Sequence, residues 1–110
     1  KLFWNSEFFV TEDTLIPRPD TELIIENILN LTKNKSKLSI LDIGIGSGCI
    51  LLSILSERRD FYGTGIDISK NCLKIANMNA NNLSLVSTLR LIALILLIFK
   101  QFLLISIPVP

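Results

Sequence analysis

The sequence has no histidine, only two cysteines, and not one acidic residue after Asp67. Without histidine, Cys49 and Cys72 offer nothing at the paired spacing of a zinc site, and no metal is expected. One cysteine follows a glycine turn and the other falls in a predicted helix. Both read as small buried apolar residues in a reducing compartment, with the cytoplasm as the default. No signal peptide opens the chain. Triplets beginning at Asn30, Asn34 and Asn82 match the glycosylation pattern, but in a chain this rich in asparagine they read as chance.

The missing acids mark a boundary. Residues 1–67 hold ten acids and seven bases, whereas residues 68–110 hold Lys70, Lys74, Arg90 and Lys100 and no acid at all. So abrupt a shift in composition divides the chain. The net charge of +1 decides nothing about nucleic acid. Lys33, Lys35 and Lys37 form only a short run without aromatics between them, which reads as a solvated loop. A long apolar segment is also lacking. Leu91 to Phe99 is interrupted by Lys100-Gln101 before a second run begins at Phe102. A membrane-spanning helix needs about 20 mostly apolar residues, so two buried strands are the expectation.

What is present is enough for a small core: 110 residues, 49% of them hydrophobic. The chain begins at Lys1, and it reads as a fragment or a trimmed product. Residues 1–16 alternate loosely and predict a β-hairpin or an extended lead-in. Ile16-Pro17-Arg18-Pro19-Asp20 is a stiff connector, because proline fixes φ and biases the residue before it away from helix. Asp20 is the predicted N-cap of an amphipathic helix over 21–32, with Leu23, Ile24, Ile28 and Leu31 as its apolar set. Leu38 to Ile43 predicts a buried parallel strand, residues 49–57 a helix, and Phe61 to Ile66 a second strand ending at Asp67. Ser69 then caps a helix over 70–80. Strand, glycine turn, helix, strand and helix in this order predict a doubly wound α/β domain.

The chemistry centres on Asp42-Ile43-Gly44-Ile45-Gly46-Ser47-Gly48. A glycine turn at the end of a strand lets main chain approach a ligand with no Cβ in the way. The following helix presents N–H groups and the positive end of its dipole. Asp67, ending the next strand, can accept hydrogen bonds from the two hydroxyls of a ribose. Dinucleotide sites use G-x-G-x-x-G, but the sixth position from Gly44 is Cys49, and the spacing here is G-x-G-x-G. With Asp42 two residues ahead of it, the turn suits a ligand carrying a sulfonium and an ammonium better than a pyrophosphate. It resembles the first motif of class I methyltransferases. The candidate cofactor-binding residues are therefore Asp42, Gly44, Ile45, Gly46, Ser47, Gly48 and Asp67, and the candidate cofactor is S-adenosyl-L-methionine.

Three segments together resemble the HemK/PrmC family, the release factor glutamine methyltransferases. They are Phe3-Trp4-Asn5-Ser6-Glu7-Phe8 with Leu15-Ile16-Pro17-Arg18-Pro19-Asp20-Thr21-Glu22; Ile40 through Ile50; and Gly65-Ile66-Asp67-Ile68-Ser69. The resemblance covers about residues 3–82. It implies a partial class I methyltransferase fold, Rossmann-like and doubly wound, with contacts to S-adenosylmethionine from Gly44 to Gly48 and from Asp67. It further implies methylation of the side-chain amide of a glutamine in a peptide chain release factor, with a helical domain ahead of this chain to recognise that partner. Arg18 and its prolines would lie near the active site or serve as a rigid hinge.

Downstream the pattern departs. The family completes its site with Asn-Pro-Pro-Tyr after an apolar strand. Here Leu103-Leu104-Ile105-Ser106 leads into Ile107-Pro108-Val109-Pro110, and an acid expected between Asp67 and that motif is absent. An amide nitrogen is a poor nucleophile, and asparagine accepts its N–H bonds to align it with the methyl group. Isoleucine accepts none through its side chain. No catalytic residue is therefore assigned, and the chain is expected to be inactive as it stands. Three parts are expected: a lead-in over 1–20, the first half of a cofactor domain over 21–82, and a degraded or frame-disrupted apolar tail over 83–110. Two alternatives are a fragment of a nucleic-acid amino-methyltransferase, whose motif is similar, and a membrane-associated remnant built on the tail.

Overall fold

The computed structural model describes residues 2–12, 14, 19–93 and 102–106, the last five as main chain. Arg18 and Pro17, the apolar stretch over 94–101, and Ile107 with the prolines after it lie outside the described residues.

The lead-in begins with a hairpin. Strands β1 (Leu2–Phe3) and β2 (Ser6–Glu7) pair antiparallel. Trp4 and Asn5 between them both adopt positive φ, 48° and 65°, which gives a two-residue turn the twist its strands need. Phe3 is buried and meets Phe8 edge-on, with ring centroids 6.2 Å apart. The predicted hairpin is therefore present, confined to the first seven residues.

Helix α1 runs from Pro19 to Leu31. It starts earlier than the predicted 21–32 because proline suits the first helical position, where its missing N–H has no partner to lose. Asp20 is consequently not the N-cap. It lies with Glu22 inside the first turn, where carboxylates meet the positive end of the helix dipole. The buried face is also shifted from the predicted one. Ile25, Ile28 and Thr32 are buried, whereas Leu23 (58% exposed), Ile24 and Leu31 (77%) face outward. Two stripes one residue apart fit the same apolar pattern. The buried one is completed by Thr32, whose hydroxyl donates to the Ile28 carbonyl at 2.7 Å.

Strand β3 (Ser39–Ile43) leads through the glycine turn into α2 (Cys49–Glu57), then β4 (Tyr62–Asp67) and α3 (Lys70–Asn82). Their limits agree with the sequence expectations to within two residues, and Ser69 caps α3 by accepting from the Cys72 amide at 3.2 Å. Every residue of α2 from Cys49 to Leu55 is buried, because α1, α3 and β4 all pack against this helix. Fully burying one such aliphatic side chain contributes about 1.5–3 kcal/mol, so α2 is the centre of the core. A single 3₁₀ turn (Val86–Thr88) precedes β5 (Leu89–Ala93).

The main sheet has the order β5-β4-β3-β6, where β6 is Phe102–Ser106. Strands β3, β4 and β5 are parallel, while β6 runs antiparallel to β3, with Phe102 opposite Ile43 and Ser106 opposite Ser39. Two strands do form within residues 83–110, but the first, Leu89–Ala93, has no buried residue, so it is not the buried strand expected. The direction of the second was not legible in its sequence, which matches a strand leading into a catalytic loop beside the glycine turn. Ser106 instead lies at the amino end of β3, across the sheet from that turn. Only eight residues separate Ala93 from Phe102, and a parallel return needs about a dozen or more. Among the described residues no helix is long and apolar enough to cross a membrane.

Candidate functional site

The parallel pairing of β3 with β4 sets Ile43 beside Ile66, so Gly44 and Asp67 leave the sheet side by side at its carboxyl edge. The first step of the turn is fastened there. The amides of Gly44 and Ile45 both donate to the Ile66 carbonyl, at 2.7 and 3.0 Å. Gly44, Gly46 and Gly48 all have positive φ, at 83°, 59° and 84°. Residues that carry a Cβ adopt such angles at a cost. At Gly48, immediately before α2, a Cβ would also lie 2.9 Å from Leu52 Cδ1. At Gly46 a Cβ would meet nothing within 4 Å. That side of the turn is open.

Asp67 joins the turn to the second strand. Its Oδ2 accepts from the Gly46 amide at 3.0 Å, and its Oδ1 accepts from the Ser69 amide at 2.9 Å. It is 8% exposed. A carboxylate has about four lone-pair sites, so two amide donors leave it room to accept from further donors.

All seven sequence-predicted residues come together at this edge, but their side chains differ in what they can reach. Asp42 is fully buried beneath the turn, and Ile45 and Ser47 are 4% and 3% exposed. The side chains of these three are shut away from solvent, whereas a Cβ at Gly46 would face open space. Burial pushes the Cys49 thiol above its ordinary 9.0; the Ser47 hydroxyl that bonds it opposes this, and the nearby Asp42 carboxylate adds to it. Ser47 and Asp42 are thus the polar side chains that bear on the buried Cys49 thiol. Cys49 and Cys72 are both buried, as the sequence suggested. A hollow of about 150 Å³ lies along the lead-in, lined by Glu7, Phe8, Phe9 and Asn82, and no residue of the glycine turn borders it.

Sequence reasoning missed one participant. Asn79, in the middle of α3, has no exposed surface, and its Nδ2 donates to the Ser47 carbonyl at 2.8 Å. The only sequence signal was an asparagine on the otherwise apolar inner stripe of that helix, with Cys72, Ala76 and Ala80.

Among the described residues no group of three or more His, Cys, Asp or Glu side chains could hold a metal ion. No protein-family model matches the chain. A release factor glutamine methyltransferase from Buchnera aphidicola subsp. Baizongia pistaciae is 47% identical over 85 residues, which are 77% of this chain and 31% of that protein. One from Leptospira interrogans is 47% identical over 81 residues, 73% of this chain and 28% of that protein.

The chain is homologous to the release factor glutamine methyltransferases.

It spans about 30% of the length of the curated relatives it matches. A solved S-adenosylmethionine-dependent methyltransferase from Thiobacillus denitrificans, in complex with S-adenosylhomocysteine, superposes with a TM-score of 0.57 at 24% identity. The match covers 69% of this chain and 29% of that one. The fold is the Rossmann-like α/β fold of class I methyltransferases. The homologous segment thus contains the part of that fold that holds the glycine turn.

Proposed function

We propose that this chain carries the cofactor-binding part of an S-adenosylmethionine-dependent protein methyltransferase whose substrate is a glutamine side-chain amide in a peptide chain release factor. The observation that carries this reading is the Gly46–Asp67 hydrogen bond at the carboxyl edge of two parallel strands, where α/β sheets place their ligands. The residues present fit such a cofactor. Gly46 offers a face that a Cβ does not crowd, and the Asp67 carboxylate keeps acceptor capacity for a ribose diol. Gly44 to Gly48 and Asp67 would hold it, with Asp42 supporting the turn from below.

When bound, the cofactor supplies an electrophilic methyl group on a sulfonium. The chain must then align a weakly nucleophilic amide nitrogen with that methyl. Holding reactants in line supplies a large part of such a barrier reduction. In this reading the chain does not complete that step. Residue 107, where the family has its asparagine, is isoleucine, and β6 carries the chain toward the far end of β3. The division of the chain follows the same reading: a lead-in over 1–20, half of a cofactor domain over 21–82, and a tail over 83–110 that no longer builds the acceptor site. The setting is cytoplasmic, with a release factor as the partner of the intact enzyme and no role for nucleic acid, membrane or metal.

Titration calorimetry with S-adenosylhomocysteine tests the cofactor assignment; heat of binding with one site per chain is expected, and none at millimolar ligand would remove the assignment. Incubation with labelled cofactor and a glutamine-containing release factor peptide tests the rest. No methyl transfer is expected, and robust turnover would overturn that half of the reading.

A further inference from the structure

Asn79 sits mid-way along α3 with none of its surface exposed, yet the hydrogen bonds of its side chain all leave the helix. The Phe9 amide donates to its Oδ1 at 2.6 Å, and its Nδ2 donates back to the Phe9 carbonyl at 3.0 Å. This paired exchange is what a neighbouring strand would give Phe9. The same Nδ2 also donates to the Ser47 carbonyl at 2.8 Å. One buried side chain thus joins the lead-in to the glycine turn across sequence separations of 70 and 32 residues.

The bond to Ser47 constrains more than one atom. The peptide unit is planar, so fixing the Ser47 carbonyl also fixes the direction of the Gly48 N–H, which donates to Ile45 at 3.0 Å. Asp67 holds the Gly46 amide on one side of Ser47, and Asn79 holds the carbonyl on the other. Rotating the peptide before Gly46 would break the bond to Asp67, and rotating the peptide after Ser47 would break the buried bond to Asn79.

We propose that Asn79 is a positioning residue for the cofactor turn, and that through it cofactor binding at Gly44–Gly48 is coupled to docking of the lead-in at Phe9. The coupling rests on the reading that this turn binds S-adenosylmethionine. Because coupling is reciprocal, a ligand that steadies the turn also steadies Phe9, and loosening Phe9 weakens the ligand.

Hydrogen exchange followed residue by residue, with and without S-adenosylhomocysteine, tests this in the full chain. In the unsubstituted protein the ligand is expected to slow exchange at the Gly46–Gly48 amides and also at Phe9. Asn79→Ser is expected to speed ligand-free exchange at the turn, to weaken binding about tenfold, and to abolish the ligand's effect at Phe9. Asn77→Ser, an exposed position on the same helix, should do none of these. Should Asn79→Ser not fold, Phe9→Pro removes the amide donor to Asn79, together with fixing φ at position 9, and is expected to weaken binding about fivefold. Binding unchanged in either folded variant, or a Phe9 amide indifferent to saturating ligand, would overturn the coupling. Failure of the unsubstituted chain to bind removes the cofactor reading instead. The ligand-free exchange rates then still decide whether Asn79 ties the lead-in to the turn.

Discussion

Oδ2 of Asp67 and the amide nitrogen of Gly46 lie 3.0 Å apart, so the end of the second parallel strand holds the middle of the turn that follows the first. Asp67→Asn keeps the shape and one acceptor but removes the charge. A hydrogen bond to a charged group contributes about 1.5–3 kcal/mol, and two amides share this carboxylate. The variant is expected to lose about 1–3 kcal/mol in urea denaturation and to bind S-adenosylhomocysteine about tenfold or more weakly. Unchanged affinity would show that the carboxylate serves the turn alone.

Gly46 and Gly48 separate two effects of an added methyl group. Gly48→Ala meets both an unfavourable φ and Leu52 at 2.9 Å, and should cost about 2–4 kcal/mol. Gly46→Ala meets only the unfavourable φ, since nothing lies within 4 Å, and should cost about 1–2 kcal/mol. The order reverses for ligand affinity, because the Gly46 methyl would occupy the open side. Denaturation and calorimetry on the two variants check both orders.

Cys49 sets a sign for alkaline stability. Burial raises its thiol above the ordinary 9.0, so the unfolded chain loses this proton before the folded one does. The contribution is fully present below pH 9.0 and is lost as pH rises from there through the folded value. Stability should therefore fall above pH 9, with Cys49→Ser showing a shallower decline. Thiol labelling of the folded protein at pH 8 should be slow at Cys49 and become fast in denaturant.

The buried stripe of α1 is testable by contrast. Ile25→Ala, at a residue with no exposed surface, should cost about 2–5 kcal/mol. Leu31→Ala, at a residue 77% exposed, should stay within about 0.5 kcal/mol. Urea midpoints of the two variants decide between the two stripes that the sequence allows.

The comparison of sequence with structure divides along physical lines. The alternation of strands and helices from Ser39 to Asn82 was legible because short apolar runs, a glycine cluster and a capping serine are local signals, each sufficient where it stands. That the seven candidate residues share one edge of the sheet was legible for the same reason, since they fall at or just after two strand ends. The face of α1 was not, because Leu23, Ile24, Ile25, Ile28 and Leu31 support two stripes and only packing against α2 selects one. The direction of β6 was not, because an apolar pentapeptide reads alike in either direction; the length of chain joining it to β5 decides. Asn79 was not, because its partners are distant in sequence and the residue type alone suggests a solvated helix surface.

That last residue carries an evolutionary consequence. Among the described residues, all three hydrogen bonds of its side chain end on main-chain atoms, at Phe9 and Ser47. Side chains at positions 9 and 47 can therefore drift without severing the connection, provided position 9 keeps its N–H. Position 79 cannot drift in the same way. A set of homologues would then show one constrained asparagine facing two partners whose side chains its bonds leave unconstrained, and no covariation between them would reveal that they touch.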